Sequence, residues 1–439
     1  MAHNFIECDR DQPMLLPPDL RDWLPEDHLA WFVLDAVSEL DLASFFSDYR
    51  DDGWGRAAHD PEMMVALLLY AYATGERSSR GIERKLSDDV AFRVIAANHR
   101  PDHATIARFR ARHQEALSGL FSSVLALCAE AGLVSVGTLA LDGTRVRADA
   151  ADRQNRSYDQ IADEILAEAE AVDAAEDKEH GEARGDELPG DRRSRRERLR
   201  EAKRRLDEQH QAKQDQMAAW AEAKAEYTAR TGYIRKDGPR KPRPIIPIEE
   251  TKANVTDPDS RPVKTATGFI QGYTAQAAST PEQVIVAAEV ITGGNERHRL
   301  EPMARAAEAE LAMAGVEEKT EVVLADAGYW NSPQIEALEA DGTRVLCPPD
   351  ADTRKAPTKI RSGPDYEWMR RRLKEPEAEE AYRRRQQIIE PVFAQIKSRQ
   401  RGGRFTRRGL AACRAEWRLT AATHNLLKLY FATRAPRAA

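Results

Sequence analysis

Three acidic residues that are far apart in the chain stand where a metal-binding carboxylate would be useful. Asp142 follows the alternating stretch "VGTLAL", Asp326 follows the apolar stretch "EVVLA", and Glu390 lies in the basic segment "YRRRQQIIEPVFAQIKSRQ". Alternation with period two is typical of a half-buried strand, and a short apolar run is typical of a buried one. We therefore expect each aspartate to end a strand and Glu390 to lie on a helix.

The segment around Glu390 predicts an amphipathic helix with a basic ridge. Its apolar stripe, at steps of three and four, is Ile388, Ile389, Val392, Phe393 and Ile396, and the ridge beside it is Arg383, Gln386, Glu390, Ala394, Lys397 and Arg401. A lone acid there makes chemical sense if it binds Mg²⁺, which prefers oxygen ligands, while the ridge binds phosphates. Pro391 disfavours helical geometry in the residue before it, so either the helix kinks at Glu390 or a new helix begins there.

Composition narrows the class of protein. The 439 residues suggest two or three folded units, and the four cysteines show no CxxC pair, which argues for reduced thiols and against a zinc site. The start of the chain has no secretory signal, and the longest apolar run, "MMVALLLYAYA", is shorter than the ~20 residues that span a bilayer. We expect a cytoplasmic protein without membrane contact.

The net charge of −7 hides two blocks of opposite sign. Residues 163–187 carry eleven acids against two basic residues, whereas "KSRQRGGRFTRR", residues 397–408, has six basic residues and no acid. A polyanion interacts with local blocks of charge rather than with the mean charge of the chain, so the negative net charge does not exclude nucleic acid as a partner.

The chain divides into three predicted units. Residues 1–134 read as a helical bundle whose segment "GIERKLSDDVAFRVIAANHRPDHATIARFRARH" is either a helix-turn-helix, with Arg108, Arg110 and Arg112 on an exposed face, or an ordinary solvated surface. Residues 153–249 predict an antiparallel helical hairpin followed by a Pro-rich linker. Residues 135–152 and 250–439 then alternate strands and helices, which favours a mixed α/β fold with a five-stranded sheet in the RNase H-like layout.

In that layout the first and fourth strands are neighbours, so Asp142 and Asp326 would lie side by side and the covering helix would point Glu390 at them. Purely structural roles for these three acids are also compatible with the sequence. Both aspartates precede a glycine closely enough to be turn residues, and Glu390 could pair with a basic neighbour such as Arg383 or Lys397.

The sequence resembles the DDE transposases of bacterial insertion sequences, specifically the insertion-sequence 1182 type, over nearly its whole length. The resemblance rests on "LALDGTRVRADA", "VLADAGYWN" and "YRRRQQIIEPVFAQIK", and also on "NVTDPDSR", "GYTAQ", "PDHATIARFR" and "EWRLTAATHNLLKL". The acid triad of that family falls on Asp142, Asp326 and Glu390. Lys397 has the expected spacing from the glutamate, whereas Tyr382 and Arg385 lie one residue further from it than in the related large group.

The resemblance implies a transposase that uses two Mg²⁺ or Mn²⁺ ions to cut DNA at element ends and to join the 3′-OH to target DNA. Its partners would be double-stranded DNA, as terminal inverted repeats and target, and a second copy when assembled on DNA in the nucleoid. The residues expected to contact DNA are Arg383, Arg385, Lys397, Arg399, Arg401, Arg404, Arg407 and Arg408, together with Arg108, Arg110 and Arg112. The alternatives are an RNase H-like nuclease without strand transfer and an inactive DNA-binding or scaffold relative.

Overall fold

The computed structural model describes residues 19–47, 49, 58–165, 167, 195–231, 242, 244–350 and 362–434. Predictions that fall elsewhere, including most of the acidic block 163–187 and much of the Pro-rich linker, lie outside the described residues. Within them, no helix is both long enough and apolar enough to span a membrane.

The N-terminal part is helical, as predicted. After a 3₁₀ turn at Leu20–Trp23, the helices are α1 (Leu29–Ser38), α2 (Ala43–Phe46), α3 (Pro61–Ala73), α4 (Ser79–Asp88), α5 (Val90–Ile95), α6 (His103–Arg112) and α7 (Gln114–Glu130). The side chain of Asp60 caps α3 by accepting a hydrogen bond from the amide of Glu62, and Gly75 has a φ of +84° just after the helix. The apolar helix thus begins at a capping aspartate and is followed by a glycine in the left-handed region.

A six-stranded mixed sheet forms the centre of the second half. Its strands are β1 (Thr138–Arg147), β4 (Arg261–Thr265), β5 (Gly268–Ser279), β6 (Ile285–Thr292), β7 (Val322–Leu324) and β8 (Arg344–Leu346). The order is β4-β5-β1-β7-β8, with β6 also paired to β5; β1, β4 and β6 run antiparallel to β5, whereas β1, β7 and β8 run parallel. The predicted count of five strands is wrong, because "RPVKT" forms a hairpin with the start of β5.

Helices cover both faces of the sheet. The helices that follow the insertion are α9 (Leu300–Met313), α10 (Ser332–Ala340), α11 (Pro364–Arg372), α12 (Pro376–Ser398) and α13 (Leu410–Ala432). Leu139 and Leu141 of β1 join the apolar cluster with α9 and α10, and Ala140 and Val146 join the cluster with α12, α13 and the N-terminal helices. The alternation of β1 therefore decides which side chain faces which layer.

The buried helix α13 connects the two halves of the molecule. It packs along α7, α3 and β6. Asn425 accepts a hydrogen bond from the amide of Ile285 at 2.8 Å and donates one to the carbonyl of the same residue at 2.8 Å, which fixes the start of β6. The indole of Trp417 donates to the carbonyl of Gln276 in β5 at 2.9 Å. The N-terminal helices and the sheet thus share one core.

The inserted region packs on a core of its own. Residues 158–165 are helical, α8 spans Arg195–Thr231, and β2 (Asn155–Ser157) pairs antiparallel with β3 (Lys252–Asn254) at the base. The buried cluster there is Ile161, Leu199, Ala202, Leu206, Ala253 and Val255. The second helix of the predicted hairpin is present, whereas most of the first lies outside the described residues.

The helix α12 runs without interruption from Pro376 to Ser398, with Pro391 inside it. Of the two alternatives left open by the sequence, a helix boundary at Glu390 is therefore wrong. Ile388, Ile389, Val392, Phe393 and Ile396 are all buried, and Arg383, Gln386, Glu390, Ala394 and Lys397 are exposed, so the predicted stripe and this part of the ridge are confirmed. Arg401, the last predicted member of the ridge, lies beyond the end of α12 with a φ of +52°.

The insertion should be removable without unfolding the core. Ser157 and Lys252 are directly opposite in the β2–β3 ladder, so a turn of about two to four residues can replace residues 158–251. We expect the shortened chain to keep one cooperative urea transition, because the lost apolar cluster is separate from the other two. A shortened chain that unfolds without a cooperative transition would make the insertion part of the main core.

Stability should fall in mild acid because of His424 in α13. Burial lowers the pKa of His424 from 6.5 to about 4, so the fold holds it neutral while the unfolded chain takes up a proton first. Its contribution is complete above pH 6.5 and declines as the pH falls towards 4, by about 2 kcal/mol between pH 7 and pH 5. Urea unfolding at both pH values should show this loss, and His424→Gln, which keeps a donor, should reduce it.

Candidate active site

The two aspartates are neighbours because of the register between β1 and β7. Thr138 lies opposite Val322 and Ala140 opposite Leu324 in this parallel pair, and Asp142 and Asp326 each follow two residues later. Asp142 does not end its strand as expected, since β1 continues to Arg147 along β5. It instead lies where β7 has ended, so its side chain stands beside an open strand end.

Asp142 faces α12, where it meets an arginine. Arg385 Nη1 lies 3.1 Å from Asp142 Oδ2, and Arg385 is only 8% exposed. Burial raises the pKa of Asp142, Arg385 lowers it, and the nearby charge of Asp326 raises it again, so that the pKa stays above its ordinary value. Burial therefore outweighs the stabilisation of the carboxylate by Arg385.

A fourth acid, which the sequence reasoning missed, approaches the same place from the opposite face of the sheet. Glu296 follows β6, and a methyl group placed at Gly143 would lie 2.0 Å from its Oε1. A methyl group at Gly328 would lie 2.9 Å from Asp326 Oδ1 and 3.4 Å from Glu296 Oε2, so both carboxylates flank that point. Arg145 Nη1 pairs with Glu296 Oε1 at 3.0 Å. The two glycines leave the space that Glu296 and Asp326 need.

The acids at the strand ends shift the pKa values of one another and of a neighbouring tyrosine. Burial raises the pKa of Glu296, Arg145 lowers it, and Asp326 and Asp142 raise it. Tyr329, which is buried, has its pKa raised by burial and then by Glu296. The only sequence signal for Glu296 was its place after a predicted strand in "GGNERHRLE", which is weak in a chain with seventy-three acids.

Glu390 is not gathered with the other acids in this arrangement. Arg385 belongs to the buried face of α12, and five residues further along a helix the side chain points about 140° away. Glu390 is exposed, and it makes no hydrogen bond or ion pair with any residue that the structure describes. Across those same residues, no group of three or more His, Cys, Asp or Glu side chains is arranged to hold a metal ion.

Several arginines predicted to contact DNA have protein partners. Arg110 is buried, and it donates to the hydroxyl of Tyr72 at 2.6 Å and of Thr406 at 2.9 Å, so the prediction that it lies on an exposed face is wrong. Arg385, which was also expected to contact DNA, is buried because it lies in phase with the apolar stripe. Its Nη1 pairs with Asp142, and its buried Nε has no partner among the described residues.

The other predicted contacts remain nearer the surface. Arg407 is half-buried, and the exposed residues are Arg108, Arg112, Arg383, Lys397, Arg399, Arg401, Arg404 and Arg408. Arg404 and Arg408 both pair with Asp149, at 2.8 and 2.9 Å, and Arg383 pairs with Glu379 and Glu380 of its own helix. Burial and then the charge of Arg145 lower the pKa of Lys397.

Two segments of the chain match known protein families. Residues 18–112 match a transposase domain, DUF772, and residues 343–430 match a transposase DDE domain. The chain belongs to the DDE transposases of insertion sequences. The insertion-sequence 1182 type is consistent with both matches. The second segment includes Glu390, whereas Asp142 and Asp326 lie outside both. No curated protein and no solved structure shows a significant match to the chain of this transposase.

The ion pair of Asp142 and Arg385 can be tested by a double-mutant cycle. Arg385→Gln leaves a largely buried carboxylate without its cation, so we expect the free energy of unfolding to fall by about 2 kcal/mol. In the Asp142→Asn background the same change should cost less, because no buried charge is left unpaired. Equal losses in both backgrounds, measured by urea unfolding without divalent cations, would show that the pair contributes nothing.

Proposed function

We propose that this transposase cuts DNA at the ends of its element and joins the freed 3′-OH end to target DNA with the help of divalent metal ions. The observation that carries the proposal is the β1–β7 register, which brings Asp142 beside Asp326. The strand order, with β5, β1, β7 and β8 adjacent and helices on both faces, supports an RNase H-like core.

Asp142, Asp326 and Glu390 would hold the ions, Mg²⁺ or Mn²⁺. Their oxygen donors suit hard cations, and burial together with the neighbouring charge of Asp326 raises the pKa of Asp142, which a bound cation would oppose. When bound, two such ions would stabilise the attacking and leaving oxygens of a displacement at phosphorus. Glu390 would join the aspartates from the exposed edge of α12, once DNA is present.

The basic residues would bind DNA without taking part in the cleavage reaction. Lys397 is exposed and its pKa responds to the charge of Arg145, so it would suit a phosphate near the scissile bond. The loop that follows Lys397 carries five further arginines, which would bind phosphates without recognising the base sequence. These are Arg399, Arg401, Arg404, Arg407 and Arg408. The N-terminal helices, which include Arg108 and Arg112, would read the terminal repeats, and two copies would assemble on DNA.

The hydrolytic step needs no nucleophile from the protein. Water attacks phosphorus and the 3′-oxygen leaves with a proton; in the second step that 3′-OH attacks a target phosphodiester and displaces another 3′-oxygen. Neither step requires a covalent ester between DNA and a serine, tyrosine or cysteine of the protein.

The test is incubation of the full chain and Mg²⁺ with duplex DNA that carries the ends flanking its own gene. We expect nicks at the element ends and joined products, and we expect Asp326→Asn to lower the cleavage rate by at least about 10²-fold while DNA binding survives. Asp341→Asn is the matched control, since this exposed acid precedes β8 at the opposite end of the sheet and should cut normally.

Two outcomes would contradict the proposal. Normal cutting by Asp326→Asn would remove the aspartate from the site. Cut ends that are never joined to a second DNA, although the control variant and wild type both cut, would favour the nuclease alternative.

A further inference from the structure

Pro391 weakens α12 directly after Glu390, because its nitrogen carries no hydrogen. The carbonyl of Gln387, four residues earlier, therefore receives no hydrogen bond from within the helix. Here that carbonyl has a donor from outside the helix, since Gln283 Nε2 lies 3.1 Å from it. A side chain from the turn between β5 and β6 thus replaces the missing helical hydrogen bond, and α12 continues to Ser398.

The partners of Gln283 determine which way its amide points. Lys428 Nζ, which can only donate, lies 2.6 Å from Gln283 Oε1, and the carbonyl of Gln387 can only accept. The oxygen must therefore face α13 and the nitrogen must face α12. A flipped amide would lose both hydrogen bonds.

The backbone of Gln283 is held just as closely. Its φ is +65°, an uncommon conformation for a residue other than glycine, and its amide donates to the carbonyl of Thr280 at 2.8 Å. Its own carbonyl accepts a hydrogen bond from His424 Nε2 at 2.9 Å. Backbone conformations of this kind persist where surrounding contacts over-determine them, and they concentrate at functional sites.

Glu390 depends on this arrangement because nothing else described holds it. Its exposed side chain has no partner among the described residues, so the path of the α12 backbone alone sets where its carboxylate starts from. The helical turn from Gln387 to Pro391 contains Glu390. Without the bond from Gln283, that turn has one hydrogen bond fewer and is free to open at the proline.

We propose that Gln283 is a positioning residue for Glu390, which replaces the hydrogen bond that Pro391 removes and keeps the Glu390 turn of α12 in line with the strand ends. The proposal rests on the proposed function of Glu390 as a metal-binding acid. The same bond also joins three elements, α12, α13 and the β5–β6 turn, at the one point where α12 is weakest.

The test uses Gln283→Asn in the full chain. Asparagine tolerates positive φ well, so the turn should fold, but its side chain is one methylene too short to reach Gln387. We expect the cleavage rate at saturating element-end DNA to fall by about tenfold or more, because small misplacements of a reacting group are costly, while the Kd for DNA stays unchanged. Glu282→Ala, in the same turn, is the matched control and should cut normally, since Glu282 accepts hydrogen bonds from the hydroxyl of Ser135, away from α12.

Pro391→Ala separates positioning from a general structural effect. Alanine supplies the missing amide hydrogen, so Gln387 no longer needs Gln283, and Gln283→Asn should then lower the rate less than about twofold relative to Pro391→Ala alone. The same loss in both backgrounds, or no loss in the wild-type background, overturns the proposal. Thermal midpoints of all variants show whether folding is preserved. Glu390→Gln tests the underlying function: if it cuts normally, the role of Glu390 fails, whatever Gln283 does.

Discussion

Parallel pairing of β1 with β7 brings two carboxylates to one partly buried place, and the surrounding structure has to compensate that charge. Each acid that is buried there has its own arginine: Asp142 has Arg385, and Glu296 has Arg145. Burial, and to a smaller extent the charge of Asp326, still raises the pKa of both of these acids. A place that is negative, partly desolvated and open at one strand end favours the arrival of a cation.

The basic loop after α12 is kept in place by a second, fully buried charge. Glu416 accepts hydrogen bonds from the amides of Thr406 and Arg407, and Arg77 Nη2 pairs with it at 2.8 Å. Burial raises the pKa of Glu416, but Arg77 and Arg110 outweigh burial and hold it below the ordinary value, so the group stays charged. Arg77, between α3 and α4, and Arg110, in α6, both belong to the N-terminal part of the chain. The loop that carries the predicted phosphate contacts therefore depends on the N-terminal part of the chain for its shape.

Periodicity predicted the elements well and the partners of charged residues poorly. The alternation in β1 and the capping of α3 are local, so the sequence contains them in full. The register that joins Asp142 to Asp326 followed from strand order. Arg110 was predicted to lie on an exposed helix face and Arg385 was expected to contact DNA, yet both are buried among protein partners.

A signal for Arg385 was nevertheless present. It lies three and four residues before Ile388 and Ile389, hence in phase with the buried stripe. This spacing indicates a buried position, although the residue is charged. Glu296 carried no such signal, because its role depends on contacts with two distant glycines that no local pattern encodes.

The geometry of α12 sets one last constraint. A helix presents Arg385 and Glu390 about 140° apart, so its buried face delivers a cation to Asp142 while its exposed edge carries the acid. The buried face cannot rotate freely, since Ile388, Ile389 and Val392 are packed in the core. Glu390 therefore lies on a different side of α12 from the arginine that pairs with Asp142. The single acid of the basic ridge and the arginine in phase with the apolar stripe are thus two opposite charges that one helix holds on different sides, so that only the arginine contacts an acid of the strand ends in this arrangement.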